Sequence, residues 1–217
     1  MKHGVLFDIN EVRRHTSEDW NIVLSSFDIE YPKPKTTYVN IEGANGSLDL
    51  TEAYGKIFFN DRKLTIVLTC KDEIRFDDTL NKIVAFLHGK VAKITPYFDS
   101  DYYFYGRVTI NKYATSKILG TITINANCEP YKYKQDISVT TRTITDRLAV
   151  NFKSDRMESV PTFKSDTEMR FEYNGGSYVL PRNQETIYPD IVFTEGDNFI
   201  VFIGNGIVSV EWQEGAL

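Results

Sequence analysis

The chain has 217 residues, 41% of them hydrophobic and 13% aromatic, with two cysteines and a formal charge of −5. That length allows one large domain or two small ones, either with a core that needs no covalent staple. There are 16 basic and 17 acidic residues up to Pro130 and 9 and 13 beyond it, so neither half has the basic footprint of a protein that grips nucleic acid.

In chain order, Tyr31-Pro32-Lys33-Pro34-Lys35 is extended, because each proline restricts the residue before it. It is expected to be a connection or an edge segment. Gly43 to Gly46 predicts a turn. Lys63-Leu64-Thr65-Ile66-Val67-Leu68-Thr69 alternates with the period of two of a half-buried strand. Asp77-Asp78-Thr79 then supplies N-cap groups and acidic charge for a helix start. Leu80, Ile83, Val84 and Leu87 form one apolar face, and Gly89 offers a left-handed stop. This spacing predicts a helix over 79–88 that covers one face of a sheet.

Alternation returns at 107–110 and 120–126, where Thr121, Thr123 and Asn125 face one way and Ile122, Ile124 and Ala126 the other. Beyond Glu129-Pro130-Tyr131, short strands are predicted at 162–163, 169–173, 177–180, 191–194, 199–203 and 206–212. Asn174-Gly175-Gly176, Glu195-Gly196-Asp197-Asn198 and Gly204-Asn205-Gly206 read as the turns between them, the last as a tight hairpin. Such spacing indicates a sandwich. A domain boundary is expected near 130–140, and no internal repeat is evident.

No catalytic, cofactor or metal site emerges. His3, His15 and His88 are scattered, without ligand-spaced partners. His88 suits a helix C-terminus. Cys70 and Cys128 sit in β-like runs and read as buried thiols. Asp99-Ser100-Asp101 lacks the third acid, the glycine and the terminal Glu of a calcium loop, and reads as a turn. Gly204-Asn205-Gly206 lacks the Gly-Lys-Ser/Thr of a phosphate loop. Alternation splits Tyr102-Tyr103-Phe104-Tyr105 between core and surface, so these rings do not read as a base-stacking platform. Arg13-Arg14, among Glu11, Glu18 and Asp19, reads as solvated or as part of an intersubunit ion pair. No apolar leader opens the chain. Its longest apolar run, 199–203, is far short of the ~18 residues that span a bilayer.

Several segments together resemble the distal tail proteins of long-tailed bacteriophages. They are Gly4-Val5-Leu6-Phe7-Asp8, the turn Ile41-Glu42-Gly43-Ala44-Asn45-Gly46-Ser47-Leu48-Asp49-Leu50-Thr51-Glu52, and Phe86-Leu87-His88-Gly89-Lys90 with 102–107 after it. The exit Ala126-Asn127-Cys128-Glu129-Pro130-Tyr131 and the close, 204–212 with Gly215-Ala216-Leu217, complete the set. The resemblance implies a mainly β protein. Residues 1–133 would form an N-terminal β-sandwich with one helix and an extended hairpin, and 134–217 a C-terminal galectin-like β-sandwich. It implies a virion structural protein of a phage or prophage, not an enzyme and without cofactors. The protein would be made in the bacterial host cytoplasm and placed at the virion tail tip. There it would form a homo-hexameric ring between the tail tube and the baseplate, and DNA would pass through the ring's channel.

The implied partners are copies of itself, the major tail tube protein, the tail-associated hub or fibre protein and the tape-measure protein. Neither sequence-specific nucleic-acid binding nor membrane insertion is implied. The C-terminal part is short for a galectin-like domain and shows no inserted carbohydrate-binding module. The main rival reading is a carbohydrate-binding β-sandwich used in host recognition, with Trp212 in its platform; a lesser rival is a sandwich-class enzyme such as a glycosidase, against which the lack of an identifiable acid/base pair weighs. For the ring, the hairpin expected near 54–69 would supply subunit contacts through edge strands. Proline at Ile66 would then abolish assembly and leave a soluble fold.

Overall fold

The computed structural model describes residues 3–70, 76–115 and 119–217, and the chain divides into two compact units, Met1–Pro130 and Tyr131–Leu217. Among the described residues the fold is mainly β with one helix, as the alternation predicted.

In the first unit the strands are β1 (Val5–Ile9), β2 (Val12–His15), β3 (Val23–Ile29), β4 (Tyr38–Asn40), β5 (Ser47–Asp49) and β6 (Arg62–Cys70). Helix α1 (Phe76–Leu87) follows, then β7 (Val91–Pro96), β8 (Tyr102–Thr115) and β9 (Gly120–Cys128). One antiparallel sheet runs β2-β1-β7-β8-β9-β6-β3, and β4 and β5 pair only with each other. Because β3 and β8 are separated by two strands, a flat sheet would hold them about 14 Å apart. The rings of Phe27 on β3 and Phe104 on β8 nevertheless lie 6.3 Å apart. The sheet therefore curls over its own core in the manner of a sandwich. That core takes Leu64, Ile66 and Leu68 from β6, Ile122, Ile124 and Ala126 from β9, and Phe76, Leu80, Ile83 and Leu87 from α1.

The helix starts at Phe76, one turn earlier than its sequence suggests. Asp77 and Asp78 lie within its first turn, where their charge meets the positive end of the helix dipole. Gly89 (φ +78°) ends it as expected. The start extends because Phe76 is itself a core residue: its ring lies over Gly120, where even a β-carbon would come within 2.1 Å of it.

One expectation for this unit is corrected. Residues 54–69 are not a hairpin: β6 pairs with β3 on one side and β9 on the other, and Ile66 is fully buried. A strand with both edges used and one face in the core cannot offer itself to a second copy. Tyr31-Pro32-Lys33-Pro34-Lys35 is the second of the two alternatives expected, an edge segment, since Pro34 bridges Phe59 and the segment forms one side of a ribbon.

The second unit holds β10 (Lys132–Lys134), β11 (Ser138–Ser154), β12 (Thr162–Ser165), β13 (Met169–Tyr173), β14 (Gly176–Leu180), β15 (Glu185–Ile187), β16 (Gly196–Trp212) and β17 (Gly215–Ala216). Its centre is a ribbon of the two 17-residue strands β11 and β16, paired from Ser138↔Trp212 to Ser154↔Gly196. On its other edge β16 pairs with β13 through Val201 to Ile203 and with β12 through Val208 to Glu211. Between these contacts the ribbon bends, so β12 and β13 face each other and Phe163 stacks on Phe171 at 4.8 Å. Gly204-Asn205-Gly206 is therefore a bend inside one strand and not a turn between two. Gly204 (φ +143°) and Gly206 (φ +150°) adopt backbone angles that side chains resist. The turn at Asn174 (φ +45°) and Gly175 (φ +81°) joins β13 to β14 as expected. Residues 191–194 form no strand, because Ile191 and Phe193 are core plugs on a loop tied at Ser159.

Candidate assembly surface

The most exposed part of the chain is a ribbon over residues 31–60, which leaves the first unit between β3 and β6. Its root continues their ladder: Glu30 N–H donates to Lys63 O at 2.9 Å, Asn60 N–H to Lys33 O at 2.8 Å and Lys35 N–H to Phe58 O at 2.7 Å. Further out, Leu50 N–H donates to Thr37 O at 2.8 Å, and β4 and β5 close through Tyr38↔Asp49, Val39↔Leu48 and Asn40↔Ser47. Ser47 Oγ–H donates to Asn40 Oδ1 at 2.6 Å across the pair. Gly43 (φ +78°) and Gly46 (φ +80°) make the tip, as the sequence turn predicted. Local bonds thus fix the arm's shape.

Its surface is apolar to a degree that solvent does not favour. Tyr31, Tyr38, Val39, Ile41, Leu48, Leu50, Tyr54, Ile57 and Phe58 are all exposed, Tyr54 at 87%. So many exposed apolar side chains on one ribbon mark an interaction surface. The distal stretch 36–55 carries Glu42, Asp49 and Glu52 and no Lys or Arg. Hydrogen bonds from Thr51, side chain first and then backbone, hold the Asp49 carboxyl below its usual range.

A second surface lies where α1 ends against β8. Val84, His88, Ile110, Asn111, Lys112 and Tyr113 line an open groove of about 430 Å³. The β8–β9 register slips by one residue between Ile110 and Lys112, and His88 Nδ1 accepts the Ile110 N–H at 3.1 Å. His88 thus serves a strand bulge as well as the helix end.

No protein-family model and no curated protein matches the sequence. Among solved structures, the chain superposes on the SPP1 Dit (gp 19.1) protein, described as a paradigm of the hub adsorption apparatus in phages that infect Gram-positive bacteria. The TM-score is 0.70 at 12% identity, and the match covers 98% of this chain and 99% of that one. The fold is that of SPP1 Dit. Both units and their order are part of the likeness.

The other residues weighed from sequence lie apart from the arm and the groove. His3 packs its ring on Tyr97, 4.2 Å away. His15 is buried with Ser17 Oγ 3.0 Å from Nδ1. Cys70 and Cys128 are buried thiols, as the sequence suggests, and burial pushes the Cys128 thiol up to about 12. Asp99-Ser100-Asp101 is a turn, with Tyr102 N–H donating to Asp99 O. Of the four rings after it, Phe104 is in the core, Tyr103 carries Lys93 4.8 Å from its centroid, and Tyr105 is exposed. Arg13 pairs with Asp8 at 3.0 Å and Arg14 with Asp19 at 3.9 Å, within one chain. Trp212 is 7% exposed and packs on Phe152 and Phe193, so it cannot be a sugar platform. Among the described residues no group of three or more His, Cys, Asp or Glu could hold a metal ion. No helix of the described residues is long and apolar enough to cross a membrane.

Sequence reasoning found the arm's tip but not its length. Tyr38-Val39-Asn40 and Ser47-Leu48-Asp49, each with an apolar residue at its centre, lie on either side of the Gly43–Gly46 turn, and that pairing was the available signal.

Proposed function

We propose that this chain is a structural protein of the distal end of a phage or prophage tail, working by association with copies of itself. The observation that carries the reading is a two-unit fold shared over essentially the whole of both chains with a phage hub protein. The first unit, about residues 1–133, builds a ring of six copies. The second unit, about residues 134–217, is the galectin-like part turned to the tail's neighbours. The ring joins the tail tube to the hub or fibre protein, and DNA and the tape-measure protein pass through its channel. A mildly acidic body suits a channel that releases a polyanion. The exposed apolar arm supports self-association, because head-to-tail subunits need two different complementary surfaces to close.

Sedimentation with negative-stain imaging tests this. Closed annuli, alone or with the tube and hub proteins present, are expected. A chain that stays monomeric at every concentration, even with those partners, overturns the reading.

A further inference from the structure

We propose that the outer face of the second unit's sheet, around Phe199, binds a neutral hexopyranose unit of a polysaccharide. The site lies within the second unit and goes beyond the assembly reading. Three observations carry it.

The first is how the strands array their side chains. Ile200 and Phe202 of β16 are buried in the core, so Phe199, Val201 and Ile203 point to the opposite face. The register places Arg170 and Arg147 on either side of Ile203, Glu172 and Ala149 on either side of Val201, and Asn151 beside Phe199. A ring that is 60% exposed thus sits among guanidinium, carboxylate and amide groups.

The second is shape. Phe199, Val201, Glu172, Ser177 and the Gly175-Gly176 hairpin line a cavity of about 310 Å³. The two glycines carry no side chain, so a ligand can lie against the hairpin's main chain. That volume is at the small end of ligand pockets, suited to one ring and its substituents.

The third is charge and preorganisation. Arg147 Nη2 donates to Glu172 Oε2 at 3.0 Å, which fixes the carboxylate and leaves Oε1 to accept from a hydroxyl. Asn151 Nδ2 donates to Asp197 Oδ1 at 2.8 Å, which leaves Asn151 Oδ1 as an acceptor. Lys153 lies opposite Asp197 beyond them. The cations Arg147, Arg170 and Lys153 thus nearly balance the carboxylates Glu172 and Asp197, and the face has no strong field to gather a polyanion. It is too polar for the apolar centre of a protein interface. A pyranose presents a face of C–H groups and a rim of hydroxyls. The face stacks on Phe199, and the rim bonds Glu172 and Ser177. Side chains already held by neighbours lose little freedom when they bind.

Saturation-transfer NMR on the intact chain tests the site, whether the protein is monomeric or assembled. The probes are the methyl glycosides of glucose, galactose and N-acetylglucosamine. At least one is expected to bind with a Kd on the order of 1 mM, the strength that one small ring supplies. Saturation should be strongest on the C–H protons of one ring face. Phe199→Ala is expected to weaken binding about tenfold and Phe199→Tyr to retain it. The exposed position of Phe199 keeps the fold out of that comparison. Saturation of none of the three probes overturns the proposal, and so does binding that Phe199→Ala leaves unchanged. Neither result touches the assembly reading, which sedimentation tests separately.

Discussion

The Asp166 carboxylate accepts the main-chain N–H of Ile207 at 2.7 Å, across the bend in β16. Thr167 Oγ–H donates to Asn205 O at 2.6 Å beside it. The loop from β12 to β13 thus fastens the corner on which the second unit folds over its core. Only glycine fits at Gly206, where a β-carbon would lie 2.3 Å from Thr167 Oγ1 and 2.5 Å from Asp166 Oδ1, at φ +150°.

Gly206→Ala is accordingly expected to destabilise the second unit by about 1–3 kcal/mol, the usual cost of a residue forced into such a backbone region. Each unit holds one tryptophan, Trp20 and Trp212. In a Trp20→Phe background, Trp212 fluorescence during urea unfolding reads the second unit alone. An unshifted midpoint counts against the bend as a fastened corner.

Ile66→Pro is expected to destroy the first unit, not merely its assembly. Ile66 pairs with Phe27 on one side and Ile124 on the other and is fully buried. Proline removes a ladder hydrogen bond and a core side chain together, a loss of at least about 3 kcal/mol. Leu48→Pro at the exposed arm should leave the body folded. Circular dichroism and soluble yield separate the two, and a soluble, native-like Ile66→Pro protein would show that β6 is not central.

How far the sequence spoke depended on how local the cause was. β6, β9 and α1 were legible because their periodicity records which face is buried, and the curled sheet keeps that record clean. The β11–β16 ribbon was not legible. Residues 138–149 are mostly exposed on both faces, so they carry no alternation, and the glycines of the bend mimic a hairpin turn. The arm hid for a similar reason: its strands are three residues each and face no core of this chain. A surface that becomes buried only against a partner leaves little periodic trace in its own sequence.

Arg62 is 2% exposed and spends its guanidinium on one carbonyl, donating from both Nε and Nη2 to Pro130 O, with Nε at 2.8 Å. It also lies 5.3 Å from the Phe104 ring centroid. This anchors the last residue of the first unit. Arg62→Met keeps the packed stem but leaves the Pro130 carbonyl without these donors, at a cost of about 1–3 kcal/mol. Cys128 provides the readout, because its buried thiol reacts only when this edge opens. Faster labelling of Cys128 in Arg62→Met than in wild type is expected. Equal rates would mean that Arg62 does not hold the edge closed.

Acid should act on the second unit through Glu214. Burial pushes its carboxyl up, but hydrogen bonds from Lys134 and Ser138 outweigh this and hold it below the usual range. Ser138 Oγ–H donates to Glu214 Oε2 at 2.6 Å, and Lys134 Nζ reaches the same oxygen and, at 3.1 Å, Asp155. A carboxyl with a depressed folded value contributes stability in full above its unfolded value, about 4.3, and loses it as pH falls through the folded one. The Lys134 ammonium is shifted the opposite way, upward, first by its bond to Glu214. Its contribution is complete below about 10.4 and is lost as pH rises through the raised value. The pair therefore stabilises across the whole neutral range and fails at both ends. Glu214→Gln should lower the Trp212-reported urea midpoint at pH 7, and the gap to wild type should close as pH is taken from about 5 to about 3. A gap that stays constant over that interval would show that the ion pair contributes nothing through its charge.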